Sequence, residues 1–453
     1  MDTIVVNGIT SRQTDGRRPG EKPRVVIVGA GFGGLYAAKS LRGADAEVLV
    51  IDRHNYHTFV PLLYEVATAG LEAADIAQPV RAILRAPNIR FHMAEVQGID
   101  LDARVVKTDA GDVDYDYLVV AAGSTTNFFG LRSVEEWALE LKDLPQAITL
   151  RNHILQSFER AVLTDDPAER ERLMTIVVVG GGPTGVETSG ALAELKLHVL
   201  PRDYPELDLS QSRVILLEAM DHLLDAFPRK LQESAVHQLR ELGVDVRFNS
   251  AVADLSAAGV TLKDGEHIAT SNVLWVAGVR PEPVAGFLKG ETGPGGRVKV
   301  LPTLQMPDHP DAYVIGDMSL VQGAGDRGYP MLAAVAQQQG KFIGKSIRSQ
   351  IAGKSVPKFH YRDRGILATI GRRKAVAHVF RINFSGTIAW FLWLTVHLIE
   401  LIGLRNRARV FMTWIWNYLR YDRVNRLVTG ENLKLQPPMP PHPEAEPASM
   451  REG

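Results

Sequence analysis

The 453 residues of this chain include no cysteine. That absence excludes disulfide staples, cysteine-ligated zinc, iron–sulfur clusters and thiol redox chemistry together. A bias of charge is lacking too: 51 Lys and Arg stand against 52 Asp and Glu, a formal net charge of −1. Nucleic-acid binding usually leaves a domain-scale basic surplus, and there is none. The opening MDTIVVNGITSRQTDGRRPGEKP has no apolar stretch followed by a small-residue cleavage site, so it does not read as a secretory signal. Arg12, Arg17 and Arg18 would suit a transit peptide, but Asp2, Asp15 and Glu21 count against one. A disordered polar leader over 1–22 is expected, and a disordered Pro- and Glu-rich tail over 436–453. Between these ends one stretch stands out, 384–404, which is almost continuously apolar. The remainder is an ordinary globular composition, 45% apolar and 23% charged. Its length calls for two or three domains.

Residues 24–28, RVVIV, form a short β-branched run that suits a buried parallel strand. GAGFGG follows at once, with Gly29, Gly31 and Gly34 in GxGxxG spacing; the helix-like LYAAKSL and a second strand ending in Asp52 come next. In such a unit Gly29 makes the tight turn, Gly31 admits a pyrophosphate to the backbone, and Gly34 lets helix and strand pack closely. The helix N-terminus offers free N–H groups to the phosphates, and Asp52 is placed to accept from ribose hydroxyls.

The pattern repeats in TIVVVGGGPTGVETSGALAEL, with Gly180, Gly182 and Gly185 in the same order. Its second strand, VILLE, ends in Glu218 after an inserted loop, HVLPRDYPELDLSQS. A carboxylate at Glu218 would bond a ribose 2′-hydroxyl and repel a 2′-phosphate, which favours NADH over NADPH. The competing reading of Glu218 is an exposed acid at a strand end. Two such units in one chain suit one dinucleotide held permanently and one that exchanges, as in a flavoprotein fed by a pyridine nucleotide.

Three further motifs complete a recognisable order: YLVVAAGS at 117–124, NVLWVAGVRP at 272–281 and DAYVIGDMS at 311–319. With them the sequence resembles the two-dinucleotide-binding flavoprotein superfamily. The resemblance implies an α/β fold of two Rossmann-type, glutathione-reductase-like domains. It also implies non-covalent FAD held at Gly29, Gly31, Gly33, Gly34, Asp52, Arg53, Ala122, Gly123, Gly316 and Asp317. NADH would be held at Gly180, Gly182, Pro183, Thr184, Gly185, Glu187, Glu218, Ala277 and Gly278. Members that reduce disulfides or sulfide carry a cysteine pair beside the flavin, and this chain has none.

Within the superfamily, HTFVPLLYEVATAG (57–70), GGGPTGVE (180–187) and PMLAAVAQQQGKFIGK (330–345) resemble the type II NADH:quinone oxidoreductases, with actinobacterial-style members nearest. That resemblance implies a quinone pocket at Gln337, Gln338 and Gln339, with Gln338 the match, although Ala334 stands where the family has an earlier Gln. It implies that Glu187 lies near the nicotinamide and quinone headgroup and assists proton delivery; the alternative is a carboxylate favoured only by the helix dipole. Arg364, before Gly365, would lie near the flavin or be a plain surface arginine. The implied acceptor is a membrane quinone, menaquinone or ubiquinone, reduced without proton pumping. The implied assembly is a homodimer attached monotopically to the cytoplasmic face of a bacterial inner membrane. His54 and His57 read as ordinary loop histidines, since no carboxylate pattern completes a metal site.

The expected organisation is an FAD domain over 23–145 and 286–380, an NADH domain over 146–285 and membrane-associated helices over 381–435. From Thr387, TIAWFLWLTVHLIELIGL would make a helix about 27 Å long. RNRAR and the shorter run VFMTWIWNYL follow. Spanning the bilayer, lying in its surface as a hairpin and packing as a dimer core are the three placements. Glu400 and the short second run favour the surface. Two other functions stay open: a soluble NADH-dependent reductase serving a small iron–sulfur protein, and a non-enzymatic flavoprotein whose redox state governs partner binding.

Overall fold

The computed structural model describes residues 21–420, 422–423 and 425–429. The expected leader lies outside the described residues except for Glu21 and Lys22, and the expected tail lies outside them entirely.

Both β-branched runs become central strands, Arg24–Val28 and Thr175–Val179, buried as parallel strands must be. In the first sheet Arg24–Val28 pairs in parallel with Glu47–Asp52 on one side and Tyr117–Val120 on the other. Ile89–Met93 and His309–Val314 extend it in parallel, and Gln305–Met306 closes an edge antiparallel. In the second sheet Thr175–Val179 lies between Arg213–Leu217 and Asn272–Trp275, with Val244–Arg247 outside, all parallel. Each sheet is accompanied by a three-stranded meander, from Val96 to Asp114 in one unit and from Val252 to Ala269 in the other. The glycine motifs therefore repeat because the whole topology repeats. His309–Val314 returns to the first sheet after the second is complete, so the FAD-type unit is built from two stretches of chain around an inserted NADH-type unit.

The returning chain ends in the helix Ala333–Ile351, laid against Phe32–Ser40. A Cβ at Gly340 would fall 2.2 Å from the Gly33 carbonyl oxygen, and one at Gly344 would fall 2.4 Å from the Ser40 Cβ. Only glycine permits that approach, which brings the glutamines of one helix up to the phosphate loop of the other.

An antiparallel sheet of Ile366–Gly371, Lys374–Val379 and Ile382–Ser385 follows. It lies on the helix Pro183–His198 so closely that a Cβ at Gly190 would meet the Ile370 carbonyl oxygen at 1.7 Å. The apolar run beyond differs from expectation. Phe384 belongs to a strand, and the helix Thr387–Glu400 has 14 residues, about 21 Å. Leu401 turns to extended backbone and Gly403, at φ +89°, carries the reversal into Leu404–Arg420. RNRAR forms the first turns of this second helix, which at 17 residues is the longer. Polar bonds explain the break: Arg407 Nε donates to the Leu401 carbonyl at 2.6 Å, and Asn406 Nδ2 donates to the carbonyls of Ala74, Asp75 and Ala77. Among the described residues no helix is long and apolar enough to cross a membrane.

Candidate functional site

The two glycine loops are built alike. Gly29, at φ +100°, turns beneath the Ala121 carbonyl, where a Cβ would sit at 2.5 Å; Gly180, at φ +117°, does the same against Ala277 at 2.6 Å. Gly34 and Gly185 are packing glycines, since a Cβ on either would lie within 2 Å of the Gly29 or Gly180 carbonyl oxygen. At Gly31 and Gly182, by contrast, a Cβ would meet nothing within 4 Å. Both face the cleft, leaving bare backbone for a pyrophosphate at the N-termini of Phe32–Ser40 and Pro183–His198.

The strand-end acids brace these loops identically. Asp52 Oδ2 accepts from Ala30 N–H at 2.6 Å and Oδ1 from His54 N–H at 2.8 Å. Glu218 Oε2 accepts from Gly181 N–H at 2.6 Å and Oε1 from Met220 N–H at 2.8 Å. Each carboxylate has lone pairs left over for a ribose. Glu218 is 8% exposed, a buried brace and not a loose strand-end acid. On the far side of the FAD-type loop, Asp317 accepts from the Ser124 hydroxyl, and the Gly316 N–H is held by Gln339 Oε1 at 2.6 Å. The residues present thus fit FAD in the first cradle and NADH in the second.

One continuous cleft of about 2180 Å³ joins the cradles. A single drug-sized ligand needs roughly 300–1,000 Å³, so this cleft has room for several reactants side by side. Gly29, Gly31, Gly33, Asp52, Arg53, Ala122, Gly123, Gly316 and Asp317 line one end, and Gly182, Pro183, Thr184, Glu218, Ala277 and Gly278 the other. Arg53 is exposed and pairs with Glu282 at 3.1 Å.

Glu187 lies between them, at the start of Pro183–His198. It is only 9% exposed, and its Oε1 accepts from Trp393 Nε1 at 3.2 Å and from Thr369 N–H at 3.4 Å. Burial outweighs these two weak neutral donors, and the carboxyl is pushed up to about 8. Glu187 is therefore largely protonated at pH 7, the state a proton donor needs.

The glutamines are placed differently from expectation. Gln337 lines the cleft and donates through Nε2 to Glu400 Oε2 at 3.2 Å. Gln338 is turned away and pins the backbone of Arg362, donating to its carbonyl and accepting from its N–H, both at 3.0 Å. Gln339 is buried in bracing Gly316. Arg364 does line the cleft, with Nη1 3.7 Å from Glu400 Oε1.

Four residues emerge that the sequence reading passed over or placed elsewhere. His57 is buried, with Nδ1 2.9 Å from the Ala30 carbonyl oxygen; burial holds its pKa down at about 4, so a neutral imidazole supports the FAD-type loop. Trp393, fully buried, presents its indole N–H to Glu187. His397 stacks on Trp393 at 4.1 Å, donates from Nδ1 to the Trp393 carbonyl and lines the cleft, leaving Nε2 without a proton because burial lowers its pKa to about 4. Glu400 draws Gln337 and Arg364 to the end of the same helix. The spacing 393, 397, 400 places all three on one helix face.

Comparison with known proteins agrees with this geometry. A family model described as pyridine nucleotide-disulphide oxidoreductase matches residues 23–340, and one described as NDH2 C-terminal domain matches 364–420. The chain is 36% identical over 439 residues to the type II NADH:quinone oxidoreductase Ndh of Mycobacterium tuberculosis, covering 93% of this chain and 94% of that protein. It is 38% identical over 430 residues to NdhA of the same organism, covering 91% and 90%. In fold it is similar to NDH2 of Plasmodium falciparum, solved in complex with NADH, with a TM-score of 0.82 at 20% identity over 90% of this chain and all of that one. A duplicated dinucleotide cradle, a cysteine-free cleft between its halves and a C-terminal module closing over a buried glutamate have one common explanation: the chain belongs to the type II NADH:quinone oxidoreductase family.

Proposed function

We propose that this protein oxidises NADH through bound FAD and reduces a membrane quinone to quinol, without pumping protons. The observation that carries the reading is the single cleft, shared by both cradles and reaching the exposed apolar side of Thr387–Glu400 through Leu392, Val396 and Ile399. FAD, when bound, supplies the hydride-accepting and electron-donating chemistry. The chain's own residues bind and orient: Gly31 and Gly182 admit the phosphates, Asp52 and Glu218 take the riboses, and Glu187 holds a proton beside the reacting groups. Arg364 and Gln337 offer donors to a quinone oxygen, both steered by Glu400. Quinone-dependent consumption of NADH by the purified FAD-loaded protein tests the reading; consumption that does not respond to quinone would contradict it.

Glu218 decides between the two pyridine nucleotides in this scheme. Glu218→Gln keeps an acceptor for Gly181 N–H but removes the charge that repels a 2′-phosphate. The ratio of kcat/KM for NADH to that for NADPH is expected to fall by about tenfold, the worth of one charged hydrogen bond. An unchanged ratio would remove Glu218 as the discriminator.

An apolar face that the C-terminal helices leave uncovered supports a membrane contact there. Ile388, Phe391 and Ile399 on the first helix and Phe411, Met412, Trp416 and Leu419 on the second are each 49–73% exposed, while Trp393 and Trp414 on the opposite sides are buried. Arg405 and Arg420 are exposed on the second helix, as is Arg409, which pairs with Asp75 at 3.0 Å. Such a face suits the interfacial region of an anionic bilayer, entered from the cytoplasmic side where NADH is found. Phe391→Asp with Leu419→Asp is expected to abolish co-sedimentation with anionic vesicles and turnover of long-tailed quinones. NADH oxidation with a short-chain quinone should persist. Retained vesicle binding would place the membrane contact elsewhere. The family resemblance also supports a homodimer, which light scattering reads as twice the monomer mass.

A further inference from the structure

Behind Glu187 lies a second, smaller space that the scheme above does not use. It is a chamber of about 50 Å³. A water needs roughly 10–15 Å³ of such volume, so the chamber has room for a few. Tyr64 and Glu187 line both this chamber and the main cleft and so form the partition between them. Glu65 and Glu194 line the chamber alone, as do His198 and Arg423.

The polar groups form separate hydrogen-bonded sets spaced along this chamber. At the inner end, Glu65 is 8% exposed and accepts from Trp414 Nε1 at 3.0 Å and from the Tyr64 hydroxyl at 3.2 Å. The Trp414 ring lies 5.8 Å from that of Trp393, whose own N–H is on Glu187, so the two carboxyls are held by a matched pair of indoles. At the outer end Glu194 accepts from Arg423 Nη2 at 3.3 Å, both side chains retaining 13–14% exposure, and Arg423 also donates to the Thr68 carbonyl and hydroxyl. Asp422, 40% exposed, opens the chamber to solvent. Two buried carboxyls beside a wet chamber are expensive unless they carry protons, and both are shifted that way by burial, Glu65 to about 7 and Glu187 to about 8.

The reaction needs such a route. The hydride leaving NADH carries two electrons and one proton, whereas quinol has gained two electrons and two protons. The balance is NADH + H⁺ + quinone → NAD⁺ + quinol, so one proton per turnover must be drawn from water. Resting on the quinone-reductase reading, we propose that the chamber is this inlet: a proton enters past Glu194 and Arg423, is relayed by Glu65 across the waters, and reloads Glu187 after Glu187 has given its own proton to the quinone. Glu65 touches neither substrate nor cofactor; its role is supply.

The groups facing Glu65 set the pH response. Tyr64 comes from its own helix, Glu187 and Glu194 from Pro183–His198, Trp414 and Tyr418 from Leu404–Arg420, and Arg423 from the segment beyond. Arg423 partly restrains the rise that burial imposes on Glu65. A donor chain is loaded below its pKa, so flavin reoxidation by quinone should slow as pH rises through about 7 to 8, while flavin reduction by NADH should not.

Glu65→Gln retains an acceptor for both Trp414 and Tyr64 but cannot relay. In the intact FAD-loaded protein, stopped-flow reoxidation by a short-chain quinone is expected to slow at least tenfold at pH 7.5 and to lose its pH inflection near 7. Bleaching by NADH should keep its wild-type rate, and Glu65→Asp should restore most of the loss. Ala191→Val narrows the chamber without altering an ionisable group, and should slow the same step by severalfold with a larger solvent deuterium effect. Reoxidation rates and pH profiles equal to wild type in both variants would overturn the proposal. If the wild-type flavin itself is not reoxidised by quinone, the failure belongs to the underlying reading instead.

Discussion

Replacing Glu187 with Gln is expected to leave the bleaching of the flavin by NADH at its wild-type rate and to slow its recovery with a short-chain quinone by about 100-fold. Hydride transfer from nicotinamide to flavin needs no acid or base, whereas forming quinol needs a proton at the quinone oxygen, and a positioned donor is worth about 10²–10⁴ in rate. Gln keeps the bonds to Trp393 Nε1 and Thr369 N–H, so the two half-reactions should separate cleanly. Equal slowing of both would make Glu187 a packing residue. A stability signature accompanies the kinetic one. The Glu187 carboxyl rises from an ordinary 4.5 to about 8 on folding. The folded state therefore binds more protons between those values, and the contribution of Glu187 is intact below about 4.5 and lost as pH climbs through 8. The melting temperature of Glu187→Gln relative to wild type should accordingly increase from pH 5 to pH 8.5. A constant difference would mean that the carboxyl is not shifted.

Gly190→Val is expected to destabilise the protein by more than about 3 kcal/mol and to abolish quinone turnover while sparing bleaching by NADH. Gly190 itself lines neither the cleft nor the chamber. A Cβ there would lie 1.7 Å from a backbone oxygen of the strand Ile366–Gly371, so helix and strand must separate, and backbone cannot yield as a side-chain tip can. Separation would carry Thr369 and Trp393 away from Glu187 and uncover the apolar surface beneath the C-terminal helices. Thermal unfolding, limited proteolysis around 360–390 and the two half-reactions together read this outcome. A variant with wild-type melting and quinone turnover would contradict the packing described here.

These two residues also show how far the sequence could be read. The cradles were legible because their chemistry is local: glycines, strand and acid fall within a few dozen residues, and period and spacing suffice to place Gly31, Asp52, Gly182 and Glu218. Gly190, Trp393, Glu65 and Trp414 were not, because each acts through contacts between segments far apart in the chain, such as Glu65 with Trp414. The glutamine helix is an intermediate case. Its existence was evident but its rotation was not, and a step of one residue turns a side chain by about 100°. The signal was nonetheless present: Gln337, Gly340 and Gly344 fall on one helical stripe, and Gly340 and Gly344 are the residues that must face the helix Phe32–Ser40. The break after Glu400 was hidden for another reason. Apolar continuity predicted one long helix, but the side chains of Asn406 and Arg407 supply polar bonds that reward a reversal.

The most direct test of the central claim is anaerobic. The purified protein, loaded with FAD, is mixed with NADH while the flavin absorbance is followed, and a short-chain quinone is then added. The account expects rapid bleaching, rapid recovery on addition of quinone, and many turnovers with one NADH consumed per quinol formed. Bleaching without recovery, or no bleaching at all, would contradict it.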